Sequence, residues 1–401
     1  MSQVNWLPVS GIKVAAVKAG IKKPNRLDLV VFELAPGSNT AGVFTLNRFC
    51  AAPVQVAKQH LATASPRYLM INTGYANAGT GERGMNNCLA SCDVLASLAG
   101  CPREQVLPFS TGVIGELFPL PPFERGLPLA LQALDEHGWG QASEGIMTTD
   151  TRAKIASRRV ELDGVPVTVT GIAKGAGMIK PNMATMLGFV ATDASIELPL
   201  LQRWVRELAD QSFNCISIDG DTSTNDACML VATGKAGMVS TVKEGSADAA
   251  TLFNALRQVF VELAHAIVRD GEGATKFVEV RVEQAASDSD ARQVAETVAH
   301  SPLVKTALFA SDPNWGRILA AVGRAPIAEL DVSRVAIWLD EVQIVAGGAV
   351  AADYTEARGA AVMAQPDIRI TIRLGAGQGQ ATVWTCDFSY DYVKINAEYR
   401  T

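Results

Sequence analysis

Apolar positions over the first 80 residues fall in short runs, "KVAAVKAG", "LDLVVFEL", "TAGVFTL", "APVQVAKQ" and "YLMINTG", parted by Gly, Pro and Asn. Runs of this length between turn residues predict β-strands. The spacing changes to a helical one at about 84–99, after which "QVLPFSTGVIGE" reads as a strand running into a glycine turn. A proline-rich patch then leads to a helix, "LALQALDEHG", to "GIMTTDT" and to a strand hairpin around "VELDGVPVTVT". "LPLLQRWVRELADQSF" and the apolar positions 252, 256, 259, 260, 263 and 267 around His265 predict two amphipathic helices. Between them, "NCISIDGDTSTNDACMLVATG" suggests two strands joined by a polar loop. "RDGEGATKFVEVRV" is a glycine turn into a strand, and "ARQVAETVAHSPLVKTALFA" reads as one helix. In "DIRITIRLGAGQGQATVWT" Ile368, Ile370, Ile372 and Leu374 alternate with polar residues, so a hairpin is expected there. Strands and helices mix without a steady β-α-β-α rhythm, which favours an α+β fold over a doubly wound sheet. One stretch fits no element: "KGAGMIKPNMATML" at 174–187 holds two glycine turns and a Lys-Pro-Asn break, then enters an apolar run that reads as a buried strand.

Composition narrows the class. The chain has 401 residues, 48% of them hydrophobic, enough for two or three cores. It has no uninterrupted apolar run of about 18 residues and no signal-like N-terminus, so a soluble, cytoplasmic protein without a membrane partner is expected. The 35 basic and 41 acidic residues form no block of like charge, which removes the electrostatic footprint of nucleic-acid binding and points to a small-molecule enzyme. Seven cysteines, odd in number and without C-x-x-C, suit a reducing compartment. Cys88 and Cys92 share a helix face and are read as a core-facing pair. None of the four histidines lies in H-E-x-x-H, and there is no G-x-S-x-G, so the base is expected to be something other than histidine.

Thr185 offers such a base. It follows Ala184, a small residue that leaves its carbonyl accessible. Attack of the hydroxyl on that carbonyl gives an ester, and water then frees a chain with threonine at its N-terminus. The new α-amino group has a pKa of about 7.7–8.0 and can deprotonate its own hydroxyl. "FSTGVIG" supplies candidate oxyanion donors, the Thr111 hydroxyl and a backbone N–H at Gly112, where glycine permits close approach. "GAG" alone is too weak a signal for a nucleotide loop. Asp219, Asp221 and Asp226 in "DGDTSTND" lack EF-hand spacing and are read as a structural or substrate-proximal loop rather than a metal site.

The motifs "NTGYANAGTGERG", "STGVIGE", "MTTDT", "KGAGMIKPNMATMLGFVATDA", "SIDGDTSTND", "DGEGATKF" and "SDPNWGRI" resemble those of the ornithine acetyltransferases, the glutamate N-acetyltransferases of arginine biosynthesis. The resemblance runs through the final "INAEYRT" and covers essentially the whole chain. It implies a fold shared with self-processing aminopeptidases and cleavage between Ala184 and Thr185. The α fragment, 1–184, would carry the oxyanion residues and the β fragment, 185–401, the nucleophile, with an α+β subdomain from about 280 to 401. Two such pairs would form an α2β2 assembly. Thr185 would take acetyl from N2-acetyl-L-ornithine and pass it to L-glutamate, without metal or organic cofactor, and some family members also accept acetyl-CoA. Thr111 and Gly112 would stabilise the oxyanion, while Thr148, Lys174, Glu272, Asn396 and Thr401 would join Thr185 in contacting substrate. Charge suits Lys174 to a substrate carboxylate and Glu272 to the ornithine ammonium. The rival expectations are an aminopeptidase or amidase of the same fold that uses the same threonine, and a non-catalytic binding protein with "KGAG" as an anion-binding turn.

Overall fold

The computed structural model describes residues 6–180, 186–238 and 240–399. Within these, one compact unit draws on the spans Met1–Gly175, Pro181–Asn214 and Thr222–Ile267, and a second on Ala176–Lys180, Cys215–Asp221 and Val268–Thr401. The mixture of elements is α+β.

Two sheets build the first unit. One has four strands in the order β1 (Ile12–Val17), β2 (Leu29–Leu34), β4 (Tyr68–Tyr75), β5 (Val106–Val113). The other has five, ordered β3 (Asn39–Phe44), β10 (Ala227–Ala232), β8 (Leu187–Thr192), β7 (Val165–Lys174), β6 (Lys154–Leu162). Alternation along β2 explains how they stack. Val30, Phe32 and Leu34 join Ile172, Phe189 and Met229 of the other sheet in one core, while Leu29 and Val31 point to the opposite face. That outer face is covered by α1 (Ala52–Thr63), α2 (Gly81–Ala99) and α3 (Pro121–Gln132), with Val56, Cys92 and Leu127 among the packed residues. Beyond α4 (Trp139–Gly145) and α5 (Leu198–Asp210), α6 (Ala247–Arg269) lies against the five-stranded sheet. A Cβ on Gly171 of β7 would come within 3.2 Å of both Val259 and Leu263 of α6. The hairpin expected at "VELDGVPVTVT" is β6–β7. Asp163 and Gly164 at its tip both have positive φ, as a tight two-residue turn requires.

The second unit holds a seven-stranded sheet in the order β14 (Ala349–Val350), β13 (Val342–Ala346), β12 (Ala336–Leu339), β15 (Asp367–Arg373), β11 (Phe277–Ala285), β16 (Gly379–Cys386), β9 (Ile216–Ser217). One face packs on α7 (Asp288–Ala299), α8 (Pro302–Phe309), α9 (Trp315–Gly323) and α10 (Glu356–Met363) through Val278, Val280, Ile370 and Ile372. The alternate positions are charged and pair across strands. Glu279 and Glu283 of β11 stand opposite Arg369 and Arg373 of β15 and bond them at 2.8 and 3.0 Å. Helix α11 (Tyr390–Ala397) closes the described chain.

Some elements differ from the sequence expectation. "APVQVAKQ" is the start of α1, because Pro53 sits in the first helical turn, where its missing N–H costs nothing. The single helix expected over 291–310 is broken into α7 and α8, with Ser301 capping the second helix and Pro302 opening it. β15 and β16 form no hairpin, since β11 lies between them and pairs parallel with β15. The two strands expected in "NCISIDGDTSTNDACMLVATG" are present and enter different sheets, β9 in the second unit and β10 in the first.

His300, the C-cap of α7, has its Nε2 buried without a hydrogen-bond partner among the described residues. Burial first, then the charges of Lys180, Lys305 and Arg324, lower its pKa to about 3. The unfolded chain therefore takes up this proton more readily than the folded one. The stabilisation is complete above the usual value of 6.5, is lost as pH falls through it, and stops changing near 3. We expect His300→Gln to flatten the loss of stability between pH 6.5 and 4, by up to about 1.4 kcal/mol per pH unit, in urea midpoints measured across that range.

Candidate active site

Strand β5 carries two of the expected site residues into the first unit. Its parallel register with β4 sets Thr73 opposite Thr111 and Gly74 opposite Gly112. Gly112 has φ +138°, and a Cβ there would fall 2.2 Å from the Gly74 carbonyl carbon and 2.6 Å from the Tyr75 nitrogen. Only glycine allows the two backbones to lie this close.

Lys174 ends β7, the strand next to β8, and pairs with Leu187 in that ladder. Its buried Nζ donates to the Thr111 hydroxyl at 3.3 Å. Asp150, from "MTTDT", organises the surroundings. One carboxylate oxygen accepts Lys154 Nζ and the Gly175 N–H, each at 2.7 Å, and the other accepts the Thr148 N–H at 2.9 Å. The Thr148 carbonyl in turn accepts Arg26 at 3.2 Å. Burial would raise the Asp150 pKa, but the Lys174 and Lys154 charges and the donated hydrogen bonds outweigh it and hold the carboxyl well below its usual range. Asp226 shows the opposite balance. Burial pushes its pKa well up, and the Ser223 hydroxyl, Lys174 and the Met186 N–H do not offset this. Its Oδ2 has no hydrogen-bond partner among the described residues. The Lys174 ammonium on the Thr111 hydroxyl, with Asp150 held anionic and paired to Lys154, places a buried cation beside that hydroxyl. Such a cation suits a developing oxyanion or a carboxylate.

In the second unit the structure brings Glu272 and Asn396 together. Asn396 Nδ2 of α11 donates to Glu272 Oε2 at 2.8 Å. Gly177 lies beside them, and a Cβ there would fall 2.4 Å from the Glu272 carboxylate, so a larger residue would displace that side chain. Asp219 accepts the N–H groups of Met178 and Ile179 at 2.6 and 2.8 Å, and Met178 is held at φ +54°. Burial first, then the Asp219, Glu272 and Asp221 carboxylates, push the Tyr392 phenol up. Ala184, Thr185 and Thr401 lie outside the described residues. Of the other polar candidates, Asp219 in the second unit is half-buried and Asp226 in the first is buried. His60 is buried with Nδ1 against the Val106 carbonyl at 2.7 Å. Cys88 and Cys92 face the core, and all seven cysteines are free thiols. Among the described residues no helix is long and apolar enough to cross a membrane. Sequence reading missed Asp150 and Lys154. The available signal was an acid inside "MTTDTRAK" with a lysine four residues on.

The fold is α+β and the donor cluster suits a group that develops negative charge, while the sequence relatives make the chain an enzyme of the acyltransferase class. The ArgJ family model matches residues 13–401, and the chain belongs to that family, whose place is arginine biosynthesis. It is 57% identical over 401 residues to the arginine biosynthesis bifunctional protein ArgJ of Methylococcus capsulatus, covering 100% of this chain and 98% of that relative. The ArgJ protein of Pseudomonas fluorescens is 56% identical over 394 residues, covering 98% of this chain and 97% of its own. Among solved structures, the crystal structure of the arginine biosynthesis bifunctional protein ArgJ from Bacillus halodurans is similar at TM-score 0.51 and 38% identity. The match covers 53% of this chain and 99% of that one.

The Gly74–Gly112 approach yields a direct test. Gly112→Ala forces the β4 and β5 backbones apart. It should cost about 1–3 kcal/mol of stability and lower the specific activity of the protein that still folds by about 100-fold. Thermal melting and initial rates at saturating substrate measure the two effects.

Proposed function

We propose that the chain is a glutamate N-acetyltransferase that moves acetyl from N2-acetyl-L-ornithine to L-glutamate through an acetyl ester on Thr185, after cutting itself between Ala184 and Thr185. The observation that carries this reading is the buried Lys174 ammonium on the Thr111 hydroxyl beside Gly112, at the end of a strand whose ladder partner β8 starts two residues after Thr185. In self-cleavage the Thr185 hydroxyl adds to the Ala184 carbonyl carbon, the C–N bond breaks to leave an ester, and water hydrolyses that ester. The freed amino group then takes the hydroxyl proton as Thr185 attacks the acetyl carbonyl. Thr111 and Gly112 stabilise the resulting oxyanion, the ornithine amine leaves with a proton, and the glutamate amine attacks the acetyl-enzyme in the second half. Lys174 serves as a fixed cation for the substrate carboxylates. Thr148, Glu272, Asn396 and Thr401 are the further substrate contacts, with Glu272 opposite the ornithine ammonium.

Sheet topology supports the cleavage. β3, β6 and β7 precede position 184 and β8 and β10 follow it, so the order β3-β10-β8-β7-β6 interleaves strands of the two expected fragments. Two complete ladders, β3 with β10 and β7 with β8, would keep the fragments together once the peptide is cut. The length of the Bacillus halodurans chain, 99% of which is matched by 53% of this one, suits a product of cleavage near the middle. The reading includes an α2β2 assembly, a cytoplasmic setting, acetyl-CoA as a second donor, and no metal or organic cofactor. The free cysteines support the reducing setting.

Denaturing electrophoresis of active enzyme should show fragments 1–184 and 185–401 in place of the 42.4 kDa chain. Thr185→Ala should leave the chain intact and abolish transfer, and an active uncut enzyme would refute the reading. Incubation with N2-acetylornithine should release little acetate without glutamate and form N-acetylglutamate with it. Glutamate-independent acetate release would instead favour the hydrolase of the same fold. Added chelator should leave the rate unchanged, and N-acetylglutamate formed from acetyl-CoA would establish the second donor.

A further inference from the structure

Immediately before β10 the chain reads Thr224-Asn225-Asp226, and the buried Asn225 has no part in the assignments above. Its Nδ2 donates to the Ser110 carbonyl at 2.9 Å and to the Ala76 carbonyl at 2.6 Å. Both partners only accept, so the amide orientation is fixed, and its Oδ1 accepts the Thr224 hydroxyl at 2.6 Å. Ser110 shares a peptide plane with Thr111. Ala76 N–H bonds the Val113 carbonyl at 3.0 Å. One side-chain amide thus brackets Thr111 and Gly112, directly at the peptide before them and through Ala76 at the residue after them. A second asparagine completes the frame. Asn72 accepts the Ser110 hydroxyl through Oδ1 and donates Nδ2 to the Tyr75 carbonyl at 3.1 Å.

We propose that Asn225 is a positioning residue for acyl transfer, fixing the Ser110–Thr111 peptide so that the Thr111 hydroxyl and Gly112 N–H converge on the oxyanion. The proposal rests on the oxyanion role given to those two residues above. Asn225 follows the expected cleavage position and Thr111 precedes it, so the fragment carrying the nucleophile would hold the oxyanion donors of the other fragment in place. A donor turned by a fraction of an ångström loses transition-state stabilisation while substrate binding is kept.

The test measures kcat and KM for N2-acetylornithine per active site, counted by the burst of acetyl-enzyme, so that misfolded protein does not enter the rate. Asn225→Ala, which cannot donate, and Asn225→Asp, which can donate to at most one of the two carbonyls, should lower kcat per site about 10- to 100-fold with KM within about threefold of wild type. Thr224→Val keeps the amide but removes the hydroxyl that orients it, and should lower kcat by a smaller factor of about 3–10. It carries the test should Asn225→Ala remain uncleaved. Thr111→Ala serves as the control. If Thr111→Ala loses activity while both Asn225→Ala and Thr224→Val keep a wild-type kcat per site, the positioning role is overturned. A fall in kcat matched by an equal rise in KM overturns it as well. If Thr111→Ala itself keeps full kcat, the oxyanion assignment fails and the proposal falls with it.

Discussion

The antiparallel ladder of β7 with β8, running from Val169–Thr192 to Lys174–Leu187, is the constraint on which the first unit depends. β8 is buried along all six of its residues, and its other edge pairs parallel with β10. Neither strand can shift without exposing the sheet core and unpairing backbone groups that have no route to water. The positions of the chemical groups follow from this ladder. Lys174 is the last residue of β7, so its ammonium meets Thr111 because the register ends there. Asp226 precedes β10, so its carboxyl reaches the Met186 amide at the entry to β8.

Electrostatics in this cluster is a matter of two aspartates treated in opposite ways. Asp150 and Asp226 are both buried and both feel Lys174. Asp150 also receives a second ammonium and two backbone N–H groups, and these overcome its desolvation. Asp226 keeps an oxygen without a partner among the described residues, and desolvation wins. Environments that push two like groups apart are a means of giving each a distinct protonation state at one pH. Lys174 acts on both carboxyls, favouring the charged form of each, and the balance differs because burial is offset at Asp150 and not at Asp226.

Much of the fold was legible where local pattern and tertiary environment agree. The Asp163-Gly164 turn, the apolar run of β8 and the isoleucine alternation in β15 each carry their own signal. The pairing of β15 did not, because its parallel partner β11 lies about 90 residues upstream and a hairpin is the default for consecutive strands. In α1, Val54 and Val56 alternate like a strand, and the helical spacing of the buried Ala52, Val56 and His60 is masked by Pro53, Val54 and Ala57, which are buried between them. At the site, Thr111, Gly112 and Lys174 stood out through their glycine-rich neighbours. Asp150 and Asn225 did not, because what distinguishes them is a set of bonds to main-chain atoms. Asn225 reaches a partner 115 residues away and another 149 away, and no spacing rule anticipates either.

Those main-chain bonds bear on how the donors stay in place. An oxyanion site works only if its dipoles are already aimed when charge develops. Here the aim is set by groups with little freedom to relax. Gly112 is wedged against the Gly74 backbone, leaving no side chain to rotate. Ser110 is held through both its hydroxyl and its carbonyl. Both side-chain amides in the network are engaged through oxygen and nitrogen, which helps so many polar groups to be buried at once. A network of this kind is costly when half complete. Rigidity here is therefore the combined product of strand register, a glycine pair and two asparagines drawn from distant parts of the sequence.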